Sequence, residues 1–300
     1  MIPVADAPDW SVEGRSWPHR AHSRFVDTRS YHWRVEQMGE GPPAVLIHGV
    51  GASAHSWAGL APLLATSFSV TAFDLPGHGF TRARRSVRPS LENVARETAG
   101  LLRALDIEPE LMIGHSAGSA IMLRMLLDKA IASEAGDKPR LGVSINGALE
   151  PFGGAAAFLF PFMARALYLN PLTAHFFART ASDRARVERL IAQTGTTPSR
   201  IDVERYALLL ARAGHVSGAL RMMANWELDG LTQDLRRIET PLLFLAGAGD
   251  KATPASVSER AAAAAPNGRF SLWPSVGHLA HEEDPVAAHA FIMEAYASVE

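Results

Sequence analysis

The sequence predicts an α/β protein with a mostly parallel sheet of eight strands, helices on both faces of that sheet, and an inserted helical lid. Strand-like and helix-like segments alternate along most of the 300 residues, as expected where helices connect parallel strands. A glycine-flanked serine, Ser116, lies between a predicted strand and a predicted helix. The stretch 150–235 has helical character without a clear strand, which indicates the lid. The remaining residues, 1–149 and 236–300, then form the sheet-bearing core.

Eight short segments have the apolar and β-branched character of strands. The first two are separated by a turn and should pair antiparallel, whereas the later ones alternate with helices, as parallel strands do. The segments are 24–27, 31–35, 44–47, 68–73, 111–113, 141–145, 242–246 and 270–273.

Helical spacing of apolar residues is clearest from Leu91 to Leu105, where Ser90 is the expected N-cap. The pattern is less regular elsewhere in the chain. Further helices are predicted near 56–65, from Ala120 onward, near 183–193, near 203–213 and in the alanine-rich stretch 261–265.

The composition is that of a soluble globular protein, with 47% hydrophobic and 20% charged residues. A net charge of −2 with scattered arginines indicates no nucleic-acid surface. The absence of cysteine excludes disulfides and thiolate chemistry, and neither a metal site nor a cofactor is predicted. The first 25 residues contain no apolar core of a signal peptide. The longest apolar stretch, 155–164, is shorter than the about 20 residues that span a membrane. We therefore expect a cytoplasmic protein, with contact at a membrane surface left open.

The candidate nucleophile is Ser116, in the run Gly114-His115-Ser116-Ala117-Gly118. A strand followed by G-x-S-x-G and a helix is the context of a nucleophile elbow, in which a tight turn requires small neighbours and exposes the serine hydroxyl. The alternative is a glycine-rich turn that happens to contain serine. A serine hydroxyl is a poor nucleophile at neutral pH, so the first interpretation requires a base, an acid that orients it and donors for an anion.

The predicted base is His278, which follows the last predicted strand, and the predicted acid is Asp250, which follows the strand 242–246. They complete the chain order serine, acid, histidine. His281 competes as the base, although it heads an acidic run and is more typical of a helix flank. Glu150, after the strand 141–145, is the alternative acid, and Asp250 could instead be a surface aspartate paired with Lys251.

Two backbone N–H groups are predicted to stabilise an oxyanion. One belongs to Ala117, directly after the nucleophile. The other belongs to Val50, in the glycine-rich run 48–51 after the third strand. His48 is expected to stabilise this loop, and the turn 74–79 is expected to support the site from the side.

Together these motifs resemble the α/β-hydrolase superfamily along nearly the whole chain. The resemblance implies the fold above and a serine hydrolase triad of Ser116, Asp250 and His278. It rests on H-G-x-G at 48–51, D-L-P-G-H-G at 74–79, G-H-S-A-G at 114–118, the acid at 250 and G-H at 277–278.

A narrower set of segments resembles the family of magnesium-chelatase accessory proteins of bacteriochlorophyll synthesis. The resemblance implies assistance to magnesium insertion into protoporphyrin IX in a phototrophic bacterium. It also implies two kinds of partner, namely a small hydrophobic molecule such as a tetrapyrrole and the magnesium-chelatase subunits. The segments are 17–20, 23–26, 48–57, 146–148, 222–226 and 277–283.

Three functions remain open from the sequence. The chain is a serine hydrolase, or a porphyrin-binding or chelatase-partner protein with a vestigial triad, or an unrelated carboxylesterase or carbon–carbon bond hydrolase. An intact triad favours catalysis, because binding alone does not require all three residues. The aromatic lid suits a bulky apolar ligand, although the same side chains could pack the lid onto the core. Candidates for substrate contact are His115, Phe152, Met222 and Trp226.

Overall fold

The structure of the protein is a computed structural model that describes residues 7–131, 139–151, 171–180 and 183–299. These ranges contain one sheet. Its strands are β1 Ser23–Asp27, β2 Tyr31–Met38, β3 Pro43–Ile47, β4 Ser69–Phe73, β5 Arg82–Ala83, β6 Leu111–His115, β7 Leu141–Ile145, β8 Leu242–Gly247 and β9 Gly268–Trp273.

The strands follow the order β1-β2-β4-β3-β6-β7-β8-β9, with β5 paired to β2 at the side. All pairs from β4 to β9 along this path are parallel, whereas β2 pairs antiparallel with β1, β4 and β5. The predicted fold class and its eight strands are confirmed. The ninth strand, β5, was not predicted, because two residues show no recognisable period.

The helices alternate with the parallel strands. In the described residues they are α1 Leu60–Leu64, α2 Leu91–Ala104, α3 Ala117–Leu127, α4 Pro171–Thr180, α5 Arg184–Ala192, α6 Arg200–Leu210, α7 Ala213–Met223, α8 Leu231–Asp234, α9 Ala255–Ala264, α10 Ala280–Glu283 and α11 Pro285–Ala297. None of them is long and apolar enough to cross a membrane.

The predicted helix boundaries hold best where a capping residue is present. Ser90 accepts a hydrogen bond from the Asn93 N–H (3.4 Å) and begins α2 as expected. The predicted helix near 56–65 is divided into a 3-10 turn, Ala54–Trp57, and the short α1. The predicted helix near 203–213 corresponds to α6, and a separate helix, α7, follows it.

Both faces of the sheet are buried, which explains the continuous apolar character of its central strands. Successive residues of β3 point to opposite sides. Val45 and Ile47 belong to the core cluster that includes residues of α2, α3 and α9, whereas Ala44 and Leu46 belong to the cluster that includes residues of α1 and α11. The rigid sheet therefore places the carboxyl ends of β3, β6, β8 and β9 along one edge.

The helices α4 to α7 lie in sequence between β7 and β8, and we call them the helical segment. Helix α7 meets the loop 74–79 at a contact of two backbones, because a Cβ atom on Gly218 would lie 1.9 Å from the Gly77 carbonyl oxygen. Only glycine permits this approach. Residues 152–170, which include Phe152 and the apolar stretch 155–164, lie outside the described residues.

Candidate active site

Ser116 occupies the sharp turn between β6 and α3. Its backbone has φ 52° and ψ −117°, a conformation that costs a residue with a side chain of the order of 1–3 kcal/mol. The flanking glycines are required by space: a Cβ atom on Gly114 would lie 2.5 Å from the Gly118 carbonyl oxygen, and one on Gly118 would lie 2.0 Å from that of Ile47. This close packing holds the backbone of Ser116 in its strained conformation, as is common at functional turns.

His278 and Asp250 meet at the same edge of the sheet. The distance between His278 Nδ1 and Asp250 Oδ2 is 2.8 Å. The hydroxyl of Thr253 donates to the same Asp250 oxygen at 2.6 Å and lies 3.3 Å from His278 Nδ1. The other Asp250 oxygen accepts the N–H groups of Ala252 (2.7 Å) and Thr253 (2.9 Å). His278 Nε2, by contrast, makes no hydrogen bond to any residue that the structure describes.

The Asp250 carboxylate is kept ionised by its hydrogen bonds. Burial alone would raise its pKa, but the hydrogen bond to His278 and those from Thr253 outweigh burial and hold the pKa below its usual value. The Asp250 side chain is fully buried, so it is not a surface partner of Lys251. The alternative acid, Glu150, lies elsewhere and forms a two-pronged ion pair with Arg260 (3.0 and 2.5 Å).

Asn146 joins three strand ends beneath this pair. It follows β7 in a left-handed backbone conformation, with φ 46°. Its side-chain amide donates to the carbonyl oxygens of Gly277 (2.9 Å) and His278 (2.7 Å) and accepts the N–H of Gly247 (2.7 Å). The residue thus fixes the histidine loop against the strand that carries the acid.

The two predicted oxyanion donors belong to segments next to Ser116. Ala117 is the first residue of α3, so its N–H has no acceptor within the helix. In the loop after β3, a Cβ atom on Gly49 would lie 3.0 Å from Ser116 Cβ, so Gly49, the residue before Val50, lies directly against the serine. The N–H of Val50 itself makes no hydrogen bond to another described residue.

The residues expected to support the site do so. His48 Nδ1 lies 2.7 Å from the Gly49 carbonyl oxygen, and its Nε2 accepts the Leu75 N–H (2.9 Å). Asp74 is buried and accepts the N–H groups of Ala54 and Phe80, so its role is to brace the turn 74–79.

The structure shows the packing of the candidates for substrate contact, and their contact with substrate stays a prediction. His115 is buried behind the site, where its Nε2 lies 2.9 Å from the His278 carbonyl oxygen. Met222 is 1% exposed and belongs to the core beside α2 and α3, and Trp226 packs against that core. Phe152 lies outside the described residues. His281 is fully buried, and its Nε2 lies 2.9 Å from the Ser56 hydroxyl.

Sequence reasoning overlooked three residues around the site: Asn146, Thr253 and His215. The first two follow strand ends of the sheet, which was the signal available. His215, on α7, lies 3.0 Å from the Gly51 carbonyl oxygen. No local pattern near His215 indicates this contact.

The fold agrees with the comparison to known proteins. The profile of the alpha/beta hydrolase fold family matches residues 42–285. The chain belongs to the alpha/beta hydrolase family. It is 38% identical over 269 residues to the magnesium-chelatase 30 kDa subunit of Rhodobacter capsulatus, and this match covers 89% of the chain and 92% of that protein. Both resemblances expected from the sequence are thereby confirmed.

Solved structures agree on the architecture. An alpha/beta hydrolase fold protein from Burkholderia ambifaria superimposes with a TM-score of 0.72 at 22% identity, over 91% of this chain and 100% of that one. An esterase from Thermogutta terrifontis gives a TM-score of 0.71, also at 22% identity, over 92% and 98% of the two chains. At such identities the likeness shows the fold alone.

Proposed function

We propose that this family member is a serine hydrolase of the esterase type, with Ser116 as nucleophile, His278 as base and Asp250 as the acid that orients it. The observation that carries the proposal is the 2.8 Å contact between Asp250 and His278 Nδ1, at the sheet edge where Ser116 is held in a strained turn. This contact leaves Nε2 as the nitrogen that can receive a proton.

In the proposed reaction, His278 Nε2 takes the proton of the Ser116 hydroxyl while the serine oxygen attacks an acyl carbon. The N–H groups of Val50 and Ala117 stabilise the negative oxygen of the tetrahedral intermediate. His278 then returns the proton to the leaving alcohol, and an acyl group remains on Ser116. Water activated by His278 releases the acid and restores the serine.

Asp250 remains charged throughout these steps. Its lowered pKa favours an ionised carboxylate beside a histidine that becomes positively charged, and the pair stabilises that imidazolium. Thr253 and the backbone N–H groups supply the remaining hydrogen bonds of the carboxylate, so its orientation does not depend on His278 alone.

For the biological role, we propose assistance to magnesium insertion into protoporphyrin IX, on the strength of the similarity to the Rhodobacter protein named as a chelatase subunit. A bulky hydrophobic substrate, a tetrapyrrole or a molecule bound beside one, suits this role. The proposed partners are the chelatase subunits and, peripherally, a membrane surface. Exposed large apolar side chains on the helical segment support a hydrophobic partner, namely Leu190 and Ile201.

The catalytic proposal is tested by labelling with a fluorophosphonate, which reacts with an activated serine. We expect the wild-type protein to be labelled at Ser116, and Ser116→Ala, at equal thermal stability, to remain unlabelled. An unlabelled wild-type protein that is folded would contradict the proposal.

The biological proposal is tested by complementation of a strain that lacks the gene, with accumulated pigments measured. We expect wild type to restore pigment synthesis and Ser116→Ala to fail. Full restoration by Ser116→Ala would instead favour the second candidate, a non-catalytic protein that binds a tetrapyrrole or the chelatase, to which the name of the Rhodobacter relative also points.

A further inference from the structure

The loop 48–53, here called the oxyanion loop, carries the N–H of Val50. This N–H belongs to the same peptide group as the Gly49 carbonyl. That carbonyl oxygen lies 2.7 Å from His48 Nδ1 and accepts the N–H of Ala52 at 3.3 Å. Because a trans peptide holds its oxygen and its N–H on opposite sides, fixing the oxygen determines the direction in which the Val50 N–H points.

The next peptide group of the loop extends this arrangement to the helical segment. The Ala52 N–H shares a peptide group with the Gly51 carbonyl, whose oxygen lies 3.0 Å from His215 Nε2. A continuous row therefore runs from His215, through the two peptide groups, to the Val50 N–H. In such a row each hydrogen bond polarises the next and strengthens the last donor.

Both histidines are held in the tautomer that this row requires. The Gly79 N–H donates to His215 Nδ1 at 3.1 Å, so the proton of the neutral ring is on Nε2. The Leu75 N–H donates to His48 Nε2, so the proton of that ring is on Nδ1. Burial, assisted by the neighbouring His78, lowers the pKa of His215 to about 3. Its ring therefore stays neutral over the working pH range of a hydrolase.

His215 reaches the oxyanion loop because α7 is seated closely on the loop 74–79. The side chain of His215 is 1% exposed. Three residues further along α7, Gly218 makes the backbone contact with Gly77. The seating of the helix and the hydrogen bond to Gly51 thus depend on one another.

We propose that His215 is a positioning residue that aims and polarises the Val50 N–H, so that the helical segment completes the oxyanion hole. This inference rests on the proposed serine hydrolase function. It assigns to the helical segment a part in stabilising the transition state, in addition to any part in covering the site.

The two nitrogens of His215 can be tested separately with two amide variants. In His215→Gln the amide nitrogen takes the place of Nε2 and can still donate to Gly51. In His215→Asn the amide is one methylene shorter and keeps only the place of Nδ1, next to Gly79. The two variants lose one hydrogen bond each, so they form a matched pair for stability.

We measure hydrolysis of 4-nitrophenyl butyrate and the rate of fluorophosphonate labelling, at least 10 °C below the lower unfolding midpoint of the pair. For His215→Gln we expect kcat within about threefold of wild type. For His215→Asn we expect kcat to fall about 10- to 100-fold with KM little changed, because loss of a whole oxyanion donor costs roughly 100- to 1000-fold. Labelling rates should follow kcat.

At His48 the opposite order is expected, because there Nδ1 faces the carbonyl: His48→Asn should retain activity and His48→Gln should lose it. This second pair keeps the inference falsifiable if His215→Asn fails to fold. Equal kcat values for His215→Asn and His215→Gln, or an effect confined to KM, would overturn the role of His215 while leaving the proposed function intact. An unlabelled wild-type protein would overturn both.

Discussion

The two sides of the candidate site are built from different interactions. On the side of Asp250, His278 and Thr253, here called the acid–base side, side chains bond to side chains and one of them carries a full charge. On the side of the oxyanion loop, neutral imidazoles bond to backbone carbonyls. In the proposed mechanism the first side moves a proton, whereas the second aims a fixed dipole. Substitutions on the first side should therefore cause the larger losses of kcat, and substitutions on the second side should cause smaller losses.

The largest effect should come from His278. We expect His278→Gln to lower kcat/KM for 4-nitrophenyl butyrate roughly 10⁴- to 10⁶-fold, because loss of the base leaves only binding and the oxyanion donors. The matched control is His281→Gln, three residues further on in the chain. His281 faces Ser56, so we expect its variant to remain within about tenfold of wild type. Similar losses in the two variants would remove the distinction between the catalytic and the buried histidine.

The next effect concerns the charge on the acid–base side. Asp250→Asn keeps the shape of the side chain but removes the charge and offers an N–H to His278, so we expect kcat to fall roughly 10³- to 10⁴-fold. Glu150→Gln is the control, because Glu150 is engaged by Arg260 at the surface. It should change kcat by less than about twofold. A large effect of Glu150→Gln would reopen its assignment as the acid.

A smaller effect is expected from Asn146, whose side chain bonds to backbone carbonyls next to the acid–base side. Asn146→Gly tolerates the left-handed backbone but removes the side-chain donor to the Gly277 carbonyl and the acceptor of the Gly247 N–H, and it leaves the His278 carbonyl with His115 as its partner. We expect a loss of about 1–3 kcal/mol in the free energy of unfolding and a fall in kcat of about tenfold, measured by urea unfolding and steady-state kinetics. Unchanged kcat would indicate that Asp250, Thr253 and His115 hold His278 without Asn146.

The smallest expected effect concerns the pH dependence of stability, which we assign to Glu282, a residue outside both sides of the site. Glu282 is buried, and burial raises the pKa of its carboxyl to about 8, although hydrogen bonds from Ser56 and Tyr206 oppose the shift. The folded state thus retains a proton that the unfolded chain releases near pH 4.5. The contribution to stability is complete below that pH and is lost as the pH rises towards 8.

Glu282→Gln removes this titration and keeps an oxygen for Tyr206, which donates at 2.8 Å. We expect the midpoint of thermal unfolding to fall between pH 5.5 and 8.5 by at least about 2 °C more in wild type than in the variant. Glu188→Gln, at an exposed position of α5, should behave as wild type. An equal decrease in all three proteins would assign the pH dependence to other groups.

Most of the acid–base side and the elbow could be predicted from the sequence, because Ser116, Asp250 and His278 each lie in the turn or loop that follows a predicted strand. The ends of predicted strands indicate the positions of Ser116, Asp250 and His278. The glycines around Ser116 indicate that the turn has no space for larger side chains. Their chemical roles stay predictions until the labelling experiment is done.

The contacts of the oxyanion side could not be predicted in the same way. His215 lies 164 residues from the carbonyl it faces, on a helix whose apolar pattern indicates only burial. His115 shows the same limit of local patterns, and its contact with substrate stays a prediction. Its place in the elbow motif suggested contact with substrate, but the turn directs its ring behind the site, towards His278. Local patterns report which residues are buried, whereas tertiary packing decides what they touch.

The contact between Gly77 and Gly218 has a consequence for exchanging the helical segment between relatives. A methyl group at 218 would act as a wedge between α7 and the core and would withdraw the His215 ring from Gly51. A chimaera with a foreign helical segment would therefore need a glycine and a donor three residues apart in its last helix. Without that pair, a chimaera that accepts a new substrate would have a lower kcat.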